Sequence, residues 1–195
     1  MSTPPDEHRV SLPLDDATAR SLRVGDRVLL SGIVYTARDA AHRRMVDTLE
    51  RGEPLPIPLE GQVIYYVGPS PARPGEIIGS AGPTTSTRMD SFTPTLLRHG
   101  LKGMIGKGSR SAAVRQALEE SGAVYFVTVG GAAALIARRI KDVELIAYPD
   151  LGTEAIYRLR VEDFPAVVAN DCFGGDLYES GKAAFRREEA ANAND

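Results

Sequence analysis

The sequence predicts an α/β or α+β domain built on a mixed sheet, and three observations carry that prediction. Apolar, β-branched runs recur along the chain, as in Val28–Tyr35 and Ala123–Val129. Some of these runs are separated by segments of helical periodicity that end at a glycine, such as 110–121 before Gly122. Others follow one another with only proline-rich links between them. Strands therefore come both in hairpin-like succession and with helices between, which argues against strict parallel winding. A length of 195 residues suits one domain. A chain of that size buries roughly 70% of the surface its unfolded form exposes, so no metal or disulfide staple is needed for folding.

In chain order, residues 1–9 are polar, hold two prolines and read as a flexible N-terminus. The domain proper is expected over 10–178, with 179–195 read as a frayed helix or a polar tail. A turn at Arg23–Asp26 leads into the Val28–Tyr35 strand. Thr36 is the expected N-cap of the next helix, with Asp39 three residues on as an acidic capping-box partner. Ala41, Met45, Val46 and Leu49 share a face of that helix, and Gly52 stops it. Three prolines in 53–59 demand an extended connector. Strands are expected at Gln62–Val67 and Glu76–Gly79, followed by a Gly/Thr/Ser-rich loop over 79–87. Pro94 suits a first helical position, giving a short helix to His99. Gly103–Ile105 reads as a strand, 110–121 as a helix, Ala123–Val129 as a buried strand and Gly131–Ile140 as a small-residue helix. Val143–Ala147 and a β region from Ile156 through Ala169 complete the set.

Composition narrows the function. Lys and Arg number 23 against 26 Asp and Glu, for a net charge of −3. A general nucleic-acid or anionic-membrane surface is disfavoured, because those partners select a basic patch or stripe. The single cysteine, Cys172, excludes an internal disulfide and any iron–sulfur or zinc site built from this chain's thiolates alone. No basic segment followed by an apolar one opens the chain, and no apolar run approaches the ~20 residues of a membrane helix. The expectation is a cytoplasmic protein.

The loop at 79–88 concentrates the chemistry. Gly79 and Gly82 allow close backbone approach to a ligand, and Thr84, Thr85, Ser86 and Thr87 supply hydroxyls. A helical turn opening at Arg88 would favour an anion, which Arg88 could grip through its two-pronged fork. Composition alone equally allows a Ser/Thr cap beside a surface arginine. The stretch does not match the GxxxxGK[ST] phosphate loop. Arg38 follows a strand, where side chains often line a site, although by itself it reads as a solvated helix-start residue, and so does His42. Lys107, between Gly106 and Gly108, is either an uncovered site cation or a turn lysine. Cys172 is a packed thiol by default. Three histidines and one thiol assemble no nucleophile–base set by spacing.

Taken together, these stretches are more specific than any one of them. GPTTSTRMD at 82–90 and GMIGKG at 103–108 resemble the class I iron–sulfur fumarases. The match is to their C-terminal domain and to the β subunits of two-subunit fumarases and L-tartrate dehydratases. YTARDAAH at 35–42 is similar to that family's Arg-Asp-x-Ala-His segment, and YPDLGTEAIYRLRVEDFPA at 148–166 to its YPELGMEA…VEDFPA stretch. The resemblance spans residues 10 to 178 in four ordered blocks. It implies a swivelling β/β/α fold and reversible hydration of a dicarboxylate, fumarate to (S)-malate. It implies a 4Fe-4S cluster held by an α subunit and not by this chain, with the cluster acting as Lewis acid. It also implies that Arg38, Arg88 and Lys107 bind substrate carboxylates, that Thr84 is the base, and that Thr85 is its neighbour in the substrate-binding loop. No role falls to Cys172.

The residues agree in type, since a dianionic substrate needs several fixed cations in an otherwise acidic chain. The motif residues bind carboxylates that fumarate and tartrate share, so they leave an L-tartrate dehydratase β subunit as the alternative within the family. A non-catalytic anion-binding module of the same fold is the alternative from another class. Self-association into a homodimer is left open.

Overall fold

The computed structural model describes residues 7–128 and 133–182. Its organising strand is β2 (Arg27–Thr36), which meets three neighbours. Along its first half it pairs in parallel with β1 (Glu7–Ser11), and at its end in parallel with β3 (Val63–Tyr65). Its other edge pairs antiparallel with β7 (Ile156–Asn170). From β3 the sheet continues in parallel to β4 (Gly103–Gly106) and β5 (Val124–Val127). β5 pairs antiparallel with the second half of β7, and β6 (Ile140–Ala147) with the first half. The circuit β2–β3–β4–β5–β7–β2 therefore closes on itself, with β1 and β6 as flanking strands. This is a mixed seven-stranded, partly closed sheet in an α/β fold, as the sequence predicts.

Strand alternation produces two cores. Val63, Tyr65 and Val67 pack with Val28, Leu30, Ile105, Phe126 and Phe164 on one face. Ile64 and Tyr66 pack with Met45, Leu96, Met104, Leu118 and Tyr125 on the other. Both faces of β3 to β5 are covered, and that is why those strands read as unbroken apolar runs instead of alternating ones. The second face is covered by α2 (Asp39–Glu50), α3 (Thr93–Arg98) and α4 (Ala112–Ser121), while α1 (Asp16–Ser21) contributes Ala19 to the first. α4 starts at Ser111, whose hydroxyl accepts the Val114 N–H, and stops at Gly122 in the left-handed region (φ 63°).

β2 and β7 are both irregular where they cross. Their register shifts between Leu30 and Gly32, and Asp163 takes φ 48°. At Gly32 (φ 134°) a Cβ would come within 2.5 Å of the Leu12 carbonyl oxygen, so the close approach requires glycine. This bend lets β7 serve β6 with one half and β5 with the other.

Several expectations are corrected. Thr36 is not the cap of α2. It is the buried last residue of β2, where its hydroxyl donates to the Ala155 carbonyl (3.2 Å) and accepts from the Tyr157 N–H (2.9 Å). Arg38 is the N-cap residue, with no side-chain capping bond. Glu76–Gly79 is not a strand but a bend in the loop before Ser80, since the flanking prolines give it no ladder to join. The strand β1 begins at Glu7, inside the segment read as a flexible N-terminus. Residues 177–182 are helical, which agrees with the helix alternative for the start of 179–195, and the rest of that segment (183–195) lies outside the described residues. The small-residue helix predicted from Gly131 is described as α5 (Ala133–Ala137). Its predicted first two residues lie outside the described set.

Candidate functional site

The predicted site residues gather at the C-terminal ends of β2, β3 and β4, the edge of a parallel sheet where ligands commonly bind. β2 ends at Thr36, and two residues later Arg38 opens α2. Just past β3, the Thr84 N–H donates to the Tyr66 carbonyl (2.7 Å), laying the 82–85 segment against the strand end. Just past β4, Lys107 pairs with Thr85 in a parallel bridge. The Ser86 N–H donates to the Lys107 carbonyl (2.9 Å), and the Lys107 N–H donates to Ser86 Oγ (3.2 Å). A 3₁₀ turn over Ser86–Met89 then carries Arg88 back toward α2, where its Nε donates to Asp39 Oδ1 (2.8 Å). Sequence reasoning named five residues in three separate stretches. The fold joins all five through one bonded chain.

Their exposures differ. Arg38 is mostly covered (21% side-chain exposure) and Arg88 is half exposed. Arg38 pairs with Glu154 Oε1 (3.2 Å), and Glu154 Oε2 accepts the Ala40 N–H (3.2 Å) at the open end of α2. That places a carboxylate where the free N–H groups of the helix favour one. Thr84 is partly buried, while Thr85 and Lys107 are exposed. Among the described residues, the Thr84 hydroxyl, the Lys107 ammonium and the terminal nitrogens of Arg88 make no side-chain hydrogen bond. Thr85, Arg88 and Lys107 give this strand-end surface its solvent-exposed face. Two cavities, of about 550 and 320 Å³, are lined by none of these five residues.

Beneath this face is a buried polar bed that sequence reasoning missed. Arg110 is fully covered, its Nε on Asp90 Oδ1 (2.8 Å), its other nitrogens on Thr93 Oγ1 (2.7 Å) and the Tyr66 hydroxyl (3.3 Å). Asp90 Oδ2 accepts the Ser111 N–H (2.7 Å), so both carboxylate oxygens are used. A buried ion pair is tolerable when its remaining hydrogen-bonding capacity is filled in this way. The Tyr125 hydroxyl donates to the Gly108 carbonyl (2.8 Å) and meets Ser86 Oγ (2.7 Å). Burial pushes the Tyr125 hydroxyl well above its ordinary pKa, so it stays a donor. The Tyr178 hydroxyl accepts the Gly108 N–H (3.1 Å). The only available signal was that Ser86 and Asp90 lie inside GPTTSTRMD and Glu154 inside YPDLGTEA.

His42 is also corrected, because it is fully buried and not solvated. Its Nδ1 lies 2.9 Å from the Arg38 carbonyl, which can only accept, so Nδ1 carries the proton. Its ring meets Tyr66 edge-on at 5.2 Å. Burial pushes its pKa down to about 4. His42 therefore shapes the site as a neutral ring. Nε2 of His42, Nε of Arg38 and Oδ2 of Asp39 are all buried without a hydrogen-bond partner.

The donor set does not fit an iron–sulfur cluster. The one thiol, Cys172, is buried in the turn after β7 and is not among the residues joined above. Among the described residues no group of three or more His, Cys, Asp or Glu side chains is placed to hold a metal. Nor is any described helix long and apolar enough to cross a membrane.

Fold and site together define a class: an α/β domain with a partly closed mixed sheet, presenting arginine, lysine and hydroxyl groups from one strand-end surface. The chain belongs to the fumarase C-terminus family, whose model matches residues 2–181. It is 42% identical over 157 residues to "Fumarate hydratase 2" of Leishmania major, covering 80% of this chain and 28% of that protein. It is 40% identical over 158 residues to "Fumarate hydratase class I, anaerobic" of Escherichia coli K12, covering 80% and 29%. A Methanocaldococcus jannaschii protein provisionally named L(+)-tartrate dehydratase subunit beta is 37% identical over 166 residues, covering 82% of this chain and 85% of that one. The chain thus spans less than a third of the fumarate hydratases it matches and most of the tartrate dehydratase subunit.

Proposed function

We propose that this chain supplies the carboxylate-binding half of a hydro-lyase active site, as the β subunit of a class I fumarase that interconverts fumarate and (S)-malate. The observation that supports the reading is that the segments carrying Arg38, Arg88, Lys107 and Thr84 are linked at the C-terminal ends of β2, β3 and β4. Two carboxylates of a dicarboxylate would take the Arg38 and Arg88 guanidiniums and the Lys107 ammonium. Arginine suits this because its planar fork matches a carboxylate with two parallel hydrogen bonds. Thr84 would hold the proton. In the dehydration direction the C–H bond beside a carboxylate breaks, its electron pair becomes the C=C bond, and the hydroxyl leaves from the neighbouring carbon. The proton passes to the Thr84 oxygen, which accepts it in the alkoxide form. Thr85, exposed and bridged to Lys107, keeps that loop in register.

The Lewis acid that helps the hydroxyl leave is proposed to be a 4Fe-4S cluster on a partner α subunit, because this chain offers one buried thiol. The face is then half of a site, and its openness fits that. A separate-subunit arrangement is supported by the M. jannaschii relative, most of whose length this chain matches. The same relative favours a second reading, an L-tartrate dehydratase β subunit.

The test is anaerobic co-purification with a cluster-bearing α chain, followed by assays of fumarate hydration and tartrate dehydration. Turnover of one substrate, dependent on both chains, is expected. A fully cluster-loaded pair that turns over neither would defeat the reading.

A further inference from the structure

The two arginines do not stand independently. Asp39 lies between them. Its Oδ1 accepts from Arg88 Nε at 2.8 Å, and its Oδ2 lies 4.0 Å from Arg38 Nε. That Oδ2 and that Nε are both buried, and neither has a hydrogen-bond partner. Asp39 is the first residue of the 12-residue helix α2. Arg88, by contrast, comes from a short 3₁₀ turn and is half exposed. A long, exposed side chain would ordinarily sample many rotamers, and holding it costs entropy.

We propose that Asp39 is the positioning residue of the dicarboxylate site. By taking Nε of Arg88 it fixes the plane of that guanidinium and leaves the two terminal nitrogens as the fork. Its negative charge, placed between two guanidiniums, also offsets the repulsion that would drive them apart. The proposal rests on the dicarboxylate reading above, but not on the hydration chemistry.

A purely structural role is the alternative, since an acidic residue in the first turn of a helix is favourable by itself. The two roles separate experimentally. In the assembled enzyme, Asp39→Asn should raise KM about tenfold, the equivalent of one charge-assisted hydrogen bond, with kcat within about threefold. Asp39→Asn placed on Arg88→Ala should add less than about twofold, because the partner it positions is already gone. An unchanged KM, or effects of the two substitutions that simply multiply, would overturn the proposal. A second measurement does not need turnover. Succinate titrated into the ¹⁵N-labelled full chain should move the Nε–Hε resonances of Arg38 and Arg88, with weaker half-saturation in Asp39→Asn. No shift in the wild type, or equal half-saturation, also overturns it. A chain pair whose succinate binding depends on Asp39 but which hydrates nothing would leave this inference standing and remove the fumarase reading.

Discussion

His42 shows what burial does to a single side chain. It sits one turn into α2, neutral, with its pKa pushed down to about 4 from 6.5. Its folded pKa is below its unfolded one, so the unfolded chain binds the proton more readily between those values. Stability from this group is complete above pH 6.5 and is lost as pH falls toward 4, by roughly 3 kcal/mol in all. Urea unfolding at pH 7 and pH 4.5 should show that loss in the wild type and a smaller one in His42→Phe, which keeps a ring beside Tyr66. Equal losses in the two proteins would place the acid sensitivity elsewhere. In the sequence His42 looked like a solvated helix residue. The periodicity of Ala41 and Met45 located the apolar face of α2, but nothing in it said that the face is wide enough to take an imidazole as well.

At the scale of the element, the decisive junction is the one between the 84–89 loop and the end of β4. Gly106 is the last residue of β4, and a Cβ there would press into Ser86 Oγ and come within 3.0 Å of Tyr66 Cδ2. Ser86 pins Lys107 through its N–H, which donates to the Lys107 carbonyl, and its Oγ, which accepts the Lys107 N–H. Gly106→Ala should therefore lower stability by about 1–3 kcal/mol, the usual range for overpacking, and push the loop away from Lys107. Chemical denaturation reads the first effect, and succinate half-saturation by NMR reads the second. Unaltered values for both would mean that the loop has more room than its packing indicates. The sequence marked Gly106 as a flank of Lys107 and left that lysine as either an uncovered site cation or a turn lysine. Its actual role is to admit a serine from a loop twenty residues earlier, a long-range contact that local pattern does not encode.

At the scale of the whole molecule, the two-sided core explains how the chain can fold without a metal. The first face buries residues from β1 through β7, and the second is sealed by three helices. The chain purified alone and anaerobically should be folded and cooperative in thermal unfolding. After iron–sulfur reconstitution it should show no stoichiometric visible absorption, since one buried thiol cannot anchor a cluster. A stoichiometric cluster on the isolated chain would show that the ligand set had been misread.

Much of this protein was determined by sequence alone. Apolar runs and glycine stops located β2, β4, β5, α3 and α4, because both signals come from local physics: alternation of side chains along a strand, and a left-handed residue at a helix end. The ordered motifs named the family and five candidate site residues. Tertiary structure decided the rest. β7 closes the sheet by pairing with β2, β5 and β6 in turn, which depends on the bends at Gly32 and Asp163. Thr36 was claimed by the Ala155–Tyr157 backbone and not by its own helix. Asp39 and Glu154 became partners of Arg38 and Arg88, and Arg110 and Asp90 the bed beneath them. Each of these is a contact between residues far apart in sequence, set by how two packed faces meet, and a linear pattern carries no record of which distant charge will lie opposite.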